Sequence, residues 1–280
     1  MNLSVCTISF RHQLISIDDI ATWARANHFQ GIELWGAHAN NLTEQPDYNK
    51  EWLASFGLKA TMLSDYLPIF VEEHVLYHKV QHLCRLAKHW GAGKIRTFAG
   101  GKGSLEYNDI ERKELFTRIQ KICDWLAPHE LNLVIETHPN TYADSVSATQ
   151  EMFTHVARQN LQLNFDVLHV WESGANITEA LDTLLPHINH FHFKNISCAE
   201  HLSVFAPDNV YAAAGSREGM VPIFDGEVDY RAFIEYLHQH PNTIVDTLDT
   251  SLEWFGHYSK KVLSRDRYLI QQLGQDCLRA

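Results

Sequence analysis

Short strand-like runs and helix-like runs take turns along this chain from end to end, in eight strand-then-helix units. Leu3 to Ser9, Gly31 to Trp35, Leu58 to Leu63, Lys94 to Ala99, Leu133 to Thr137, Leu161 to Asp166 and Asn189 to Phe193 read as strands, and an eighth falls between Thr243 and Trp254. Apolar periodicity places helices from Asp18 to His28, Val71 to Trp90 (stopped by Gly91), Asn108 to His129 and Ser259 to Leu273. A helix between successive strands makes their pairing parallel. Eight such units, without a Pro/Ser-rich linker or a shift in composition, predict one α/β domain over residues 1–280, a (β/α)8 TIM barrel. An open doubly wound sheet would want a Gly-rich phosphate turn after its first strand, and Thr7-Ile8-Ser9-Phe10-Arg11 is not one.

The chain of 280 residues is long enough to bury a large core, and barrels of this size are common as single domains. A formal net charge of −11 and the lack of a Lys/Arg cluster argue against a nucleic-acid partner. No apolar run reaches membrane-spanning length, and the N-terminus has no charged segment followed by an apolar one, so neither a membrane span nor a signal peptide is expected. Five scattered cysteines (Cys6, Cys84, Cys123, Cys198 and Cys277) without a CxxC fit a reduced, cytoplasmic protein. The sequence is compatible with a homo-oligomer as well as with a monomer.

Polar residues that end apolar strands carry the chemistry. Side chains alternate along a strand, so Glu136 and His138 share one face, as do His190, His192 and Lys194. Glu136, Asp166, His192 and Glu253 come from four different strands and form a hard-oxygen set with one imidazole. That set suits Mn²⁺, Mg²⁺ or Co²⁺, with Zn²⁺ also acceptable. Each has a bland rival: an interior ion pair for Glu136, helix capping for Asp166, a rim salt bridge for Glu253, and a satisfied core histidine for His192. His138 as base and Lys194 as cation, each one same-face step beyond a ligand, turn the set into a metal-assisted active site. His190 lies one layer lower behind the ligand, and His169 is a further ring-nitrogen candidate. Arg96 reads equally as an ion-pair partner of Glu136 and as a fork for a substrate carboxylate. Tyr66, Tyr211 and Arg217 are candidates for lining the pocket, with Trp35, Trp171 and Trp254 as its apolar walls. The stretch from Asn195 to Gly226 is long for a connector and is expected to act as a lid. Gly100-Gly101-Lys102-Gly103 lacks P-loop spacing and reads as a flexible turn.

Glu-Thr-His ending one strand, Asp the next, His-x-His another and Glu the last resembles the xylose-isomerase-like TIM-barrel superfamily. Longer blocks are similar to the bacterial 3-dehydroshikimate dehydratases of petrobactin siderophore synthesis. They include Cys6 to Ser16, Gly31 to Gly36, Lys94 to Gly100, Glu136 to Thr141, His192 to Ser197, Asn209 to Gly215 and Leu252 to His257. The resemblance implies a single divalent ion on Glu136, Asp166, His192 and Glu253, catalysis by His138 and Lys194, and Arg96, His169, Tyr66 and Tyr211 around the substrate. It implies a hydro-lyase that removes water from 3-dehydroshikimate to give 3,4-dihydroxybenzoate for siderophore synthesis or aromatic catabolism. A sugar isomerase or epimerase on the same barrel is the main rival. An apurinic endonuclease fits the acidic charge poorly, and a silent binding barrel fits the complete constellation poorly.

Overall fold

The structure, a computed structural model, describes residues 1–240 and 247–279. Eight parallel strands close into a barrel: β1 (Asn2–Cys6), β2 (Gly31–Trp35), β3 (Lys59–Ser64), β4 (Lys94–Thr97), β5 (Asn132–Glu136), β6 (Leu161–Asp166), β7 (Ile188–Phe193) and β8 (Asp249–Leu252). Each pairs with its chain neighbour, and β8 closes the ring against β1. The predicted (β/α)8 TIM barrel is the fold observed.

The outward side chains of the strands and the inward faces of the helices form one continuous apolar core. Helix starts are fixed by side chains that satisfy the free N–H groups of the first turn. Ser16, Asn108 and Ser145 accept from Asp19, Glu111 and Ala148, and Glu111 returns a bond to the Asn108 backbone. The helix Glu73–Trp90 stops at Gly91, whose φ of 70° a side chain would strain. Among the described residues no helix is long and apolar enough to cross a membrane.

The barrel interior is more polar than the packed aliphatic layers usual for this fold. Ser4 and Ser251 meet at 2.8 Å, Thr61 lies 3.2 Å from Ser4, and His190 Nε2 is 2.8 Å from Ser251 Oγ. At the barrel floor Asp249 bridges Lys59 at 2.8 Å and Lys94 at 3.2 Å.

One expectation needs correction, one lies partly outside the described residues, and one gains detail. β1 ends at Cys6, and residues Thr7–Phe10 form a 3-10 turn. There the Thr7 hydroxyl accepts from the Trp35 amide and the Ser9 hydroxyl from the Trp254 amide, so side chains take over the ladder's role. The expected start of the last strand includes residues 243–246, which lie outside the described residues; the strand seen begins at Asp249. The long stretch after β7 has structure of its own. Asn195–Ile196 pairs antiparallel with Met220–Val221, and between them lie a 3-10 segment, Ala199–Phe205, and a short helix, Pro207–Tyr211.

Candidate active site

Inward-pointing residues at the C-terminal ends of the strands converge. Glu136, Asp166, His192 and Glu253 each offer one ligand atom, all within 4.8 Å of one another, and all four residues are buried. His192 Nδ1 makes no hydrogen bond and stands 3.4 Å from Glu136 Oε1, 3.5 Å from Glu253 Oε1 and 3.8 Å from Asp166 Oδ2. Ligand atoms about 2.0–2.2 Å from one ion stand roughly 3.0–3.5 Å apart, so the spacing fits a shared cation. Charge fits as well. Among the described residues, the four buried carboxylates Glu33, Glu136, Asp166 and Glu253 are ion-paired to two side chains of fixed positive charge, Arg96 and Lys194, and otherwise to imidazoles, which leaves two negative charges for a divalent ion when the imidazoles are neutral.

Each rival reading has an answer in the geometry. Asp166 does cap its helix, with Oδ1 accepting from the His169 amide at 3.3 Å, while Oδ2 turns into the cluster. Glu253 is buried, so it is not a rim residue. Arg96 does pair with Glu136, Nε to Oε2 at 3.0 Å, but its Nη1 is buried without a hydrogen-bond partner among the described residues, and the residue lines the cavity. Lys194 sits directly on the ligand carboxylates: Nζ bonds Asp166 Oδ2 and lies 2.9 Å from Glu253 Oε2 and 4.0 Å from Glu136 Oε1. Burial alone would lower its pKa, but Asp166, Glu253 and Glu136 hold the ammonium well above its ordinary range. Burial raises the Glu136 carboxyl, yet Arg96 and His192 overcome this and hold it well below the ordinary value.

His138 follows β5. Its Nδ1–H donates to the Pro139 carbonyl at 2.7 Å, which leaves the lone pair on Nε2. Burial, then the neighbouring His169, push its pKa well below 6.5, so the ring is neutral near pH 7. His169 lies ring to ring with it at 4.3 Å; Nδ1 is held by Glu172 at 2.7 Å, and Nε2 is buried and free of hydrogen bonds.

Arg96, Glu136, His138, His169, Lys194, Tyr66, Tyr211 and Glu253 line one cavity with Ile8, Phe98, Phe205, Val210 and Phe255. Its volume is about 30 Å³. A chamber of about 220 Å³ adjoins it past Phe98, His138, His169 and Phe205. Tyr66 lies under the Arg96 guanidinium at 5.2 Å, and Tyr211 stacks on Trp35 at 5.8 Å.

Two sequence expectations are not met. Arg217 does not face the cavity; its guanidinium binds the carbonyls of Ala212 at 2.9 Å and Ser216 at 2.9 Å, within the lid. The apolar walls are Phe98, Phe205 and Phe255 with Ile8 and Val210, rather than Trp35, Trp171 and Trp254. Glu253 points inward, so Trp254 must point out, where its N–H donates to the His257 carbonyl at 2.7 Å. Trp35 stands behind Tyr211. Sequence reading also missed Glu172 and Glu33, whose Oε2 lies 2.8 Å from His192 Nε2. Glu33 carries the same signal as Glu136, a lone carboxylate in an apolar strand. Glu172 looks like any exposed helix residue.

Three comparisons bear on this arrangement. The family model described as a xylose isomerase-like TIM barrel matches residues 21–275. A 3-dehydroshikimate dehydratase of Bacillus anthracis is 46% identical over 272 residues, 95% of each chain. The crystal structure of a probable 3-dehydroshikimate dehydratase involved in petrobactin synthesis from that organism superposes with a TM-score of 0.91 at 44% identity, covering 97% of this chain and 99% of that one. The IolI protein, solved with a binding zinc atom, shares the fold at a TM-score of 0.75 and 15% identity, over 99% of this chain and 98% of that one.

Proposed function

This chain belongs to the xylose isomerase-like TIM barrel family, and on that premise we propose that it is a hydro-lyase converting 3-dehydroshikimate to 3,4-dihydroxybenzoate in siderophore synthesis, with one divalent metal ion at Glu136, Asp166, His192 and Glu253. The observation that carries the site assignment is a neutral, buried base, His138, lining the same cavity as Arg96 and two members, Glu136 and Glu253, of a four-residue buried ligand set. The 46% identical relative supports the substrate. Five cysteines without a disulfide suit a cytoplasmic setting.

In 3-dehydroshikimate the C4 proton is α to the C3 ketone and the C5 hydroxyl is β to it, so removal of that proton sets up loss of the hydroxyl. A divalent cation at the ligand set supplies positive charge for the negative charge that develops on the ketone side. His138 Nε2, its lone pair fixed by the Pro139 bond, takes the C4 proton. The C5 hydroxyl leaves as water with a proton from His169 or Lys194, both at the cavity wall. A last proton moves from C6 to the C3 oxygen, which completes the aromatic ring and makes the reaction effectively one-way. Arg96 Nη1, unpartnered and buried, receives the substrate carboxylate while Nε keeps Glu136 in place. Tyr66 and Tyr211 line the same cavity beside it.

Metal content separates the roles. Glu253→Ala should lose both the ion and turnover, whereas His138→Ala should keep the ion and lose turnover. Full metal occupancy in Glu253→Ala would overturn the ligand set.

A further inference from the structure

Glu33 is a charged residue of the barrel interior whose place the reaction chemistry does not by itself require. It stands on β2, its side chain is fully buried, and it contacts β7 across the barrel, three places around the ring. Oε2 lies 2.8 Å from His192 Nε2 and 3.5 Å from His190 Nε2, and Oε1 accepts from the Ser64 hydroxyl. Among the described residues its only ion-pair partners are these two imidazoles. The lysines at the barrel floor have Asp249 instead. A carboxylate buried without Lys or Arg is costly, so it needs partners that use its charge.

We infer that Glu33 is a positioning residue for the metal ion: it accepts the Nε2–H of His192, commits Nδ1 to the three carboxylates, and strengthens that nitrogen as a donor. The inference rests on the metal reading above. Two features make the arrangement specific. The His192 ring is held from opposite edges, by Glu33 on Nε2 and by the open ligand set on Nδ1, so a flipped tautomer would place an N–H toward the ion. Ser64, at the end of β3, occupies the other Glu33 oxygen and keeps the carboxylate from turning away. His190 lies behind both, tied to Ser251 at 2.8 Å, so it fills the layer without competing for Nδ1.

The test is the Mn²⁺ dissociation constant of the whole chain, read from the free-ion electron paramagnetic resonance signal. Loss of such an outer partner weakens metal binding about 10- to 100-fold, and Glu33→Gln should fall in that range. Ser64→Ala, which keeps the charge and frees the carboxylate to rotate, should weaken binding several-fold and guards against a folding defect in the first variant. A signature that a merely structural role would not move is the His192 Nε2–H proton in the Zn²⁺-loaded, ¹⁵N-labelled protein. It should be protected from exchange in the parent and shift upfield in Glu33→Gln. Parent-like Mn²⁺ affinity and an unmoved resonance in both variants would overturn the inference while leaving the ligand set standing. A parent that bound no Mn²⁺ would overturn both.

Discussion

His138 and Arg96 show most directly how single side chains divide the work. The Pro139 carbonyl holds Nδ1–H, and burial beside His169 keeps the ring uncharged. A depressed pKa means that the base stays unprotonated as pH falls to and below the ordinary 6.5, and a bound cation would push in the same direction. The acid limb of kcat/KM should therefore lie below pH 6.5; a midpoint above 7 would point to another base. His138→Ala should lower kcat by about 10²–10⁴-fold with metal content unchanged, since that is what a positioned base contributes. On the proposed function Arg96 both receives the substrate carboxylate and pairs with Glu136, so Arg96→Ala should raise KM sharply and also loosen the ion, because Glu136 loses its partner. Arg96→Lys should restore the second effect more than the first, since an ammonium cannot form paired bonds to a carboxylate. If Arg96→Ala kept the parent KM, the guanidinium would be an ion-pair partner alone. At this scale the convergence of Glu136, Asp166, His192 and Glu253 was legible because a charged residue that ends an apolar strand has few other uses. Glu33 carried the same mark but sits two positions short of its strand's end in a run that reads as core. Phe205 and the lid pin Arg217 were not legible, since their places depend on how a loop folds back.

The segment after β7 is the element that covers the site, through Phe205 and Tyr211. A cavity of about 30 Å³ holds roughly two waters and no cyclohexene ring, and the segment from Ala199 to Tyr211, which supplies Phe205 and Tyr211 to its wall, is expected to move when substrate enters. Its base is fixed. Asn195 donates to the Ile223 carbonyl at 2.6 Å and the Val228 carbonyl at 2.9 Å, and a side chain at Gly226 would meet the Ile196 carbonyl at 2.4 Å. Motion therefore belongs to the tip, where Phe205 and Tyr211 cover the site. Limited proteolysis between Ala199 and Gly219 should slow several-fold when 3,4-dihydroxybenzoate and Mn²⁺ are present together. Equal cleavage with and without them would mean that the lid does not respond to ligand. Sequence length alone marked this stretch as a lid, and its position after β7 placed it over the site. Its hairpin stem was not legible, because two-residue strands leave no periodic pattern. β1 was overread for the opposite reason: Thr7 and Ser9 continue its alternation, but their hydroxyls cap other strands.

For the molecule as a whole, the barrel gathers repulsive carboxylates at one end and relies on cations to hold them. Lys194 and Arg96 supply part of that charge, and a divalent ion is expected to supply the rest. Binding to the folded state alone should stabilise it by about 2.7 kcal/mol when Mn²⁺ is at a hundred times its dissociation constant. For a domain approaching this size that is a rise in Tm of roughly 5 °C. The rise should be absent in Glu253→Ala; an equal rise there would place the ion elsewhere. Alternating units made the barrel legible from the chain, since few folds accommodate eight parallel strands. The polar interior was less legible, because Ser4, Thr61 and Ser251 read as ordinary strand residues until the ring closes.

The most direct test of the account is incubation of the Mn²⁺-loaded protein with 3-dehydroshikimate, followed by near-ultraviolet absorbance and product mass. The account predicts a catechol acid lighter than the substrate by one water, formed by the parent and not by Glu253→Ala or by the metal-stripped protein. A product of unchanged mass, as a sugar-type isomerisation would give, or equal turnover without metal, would contradict it.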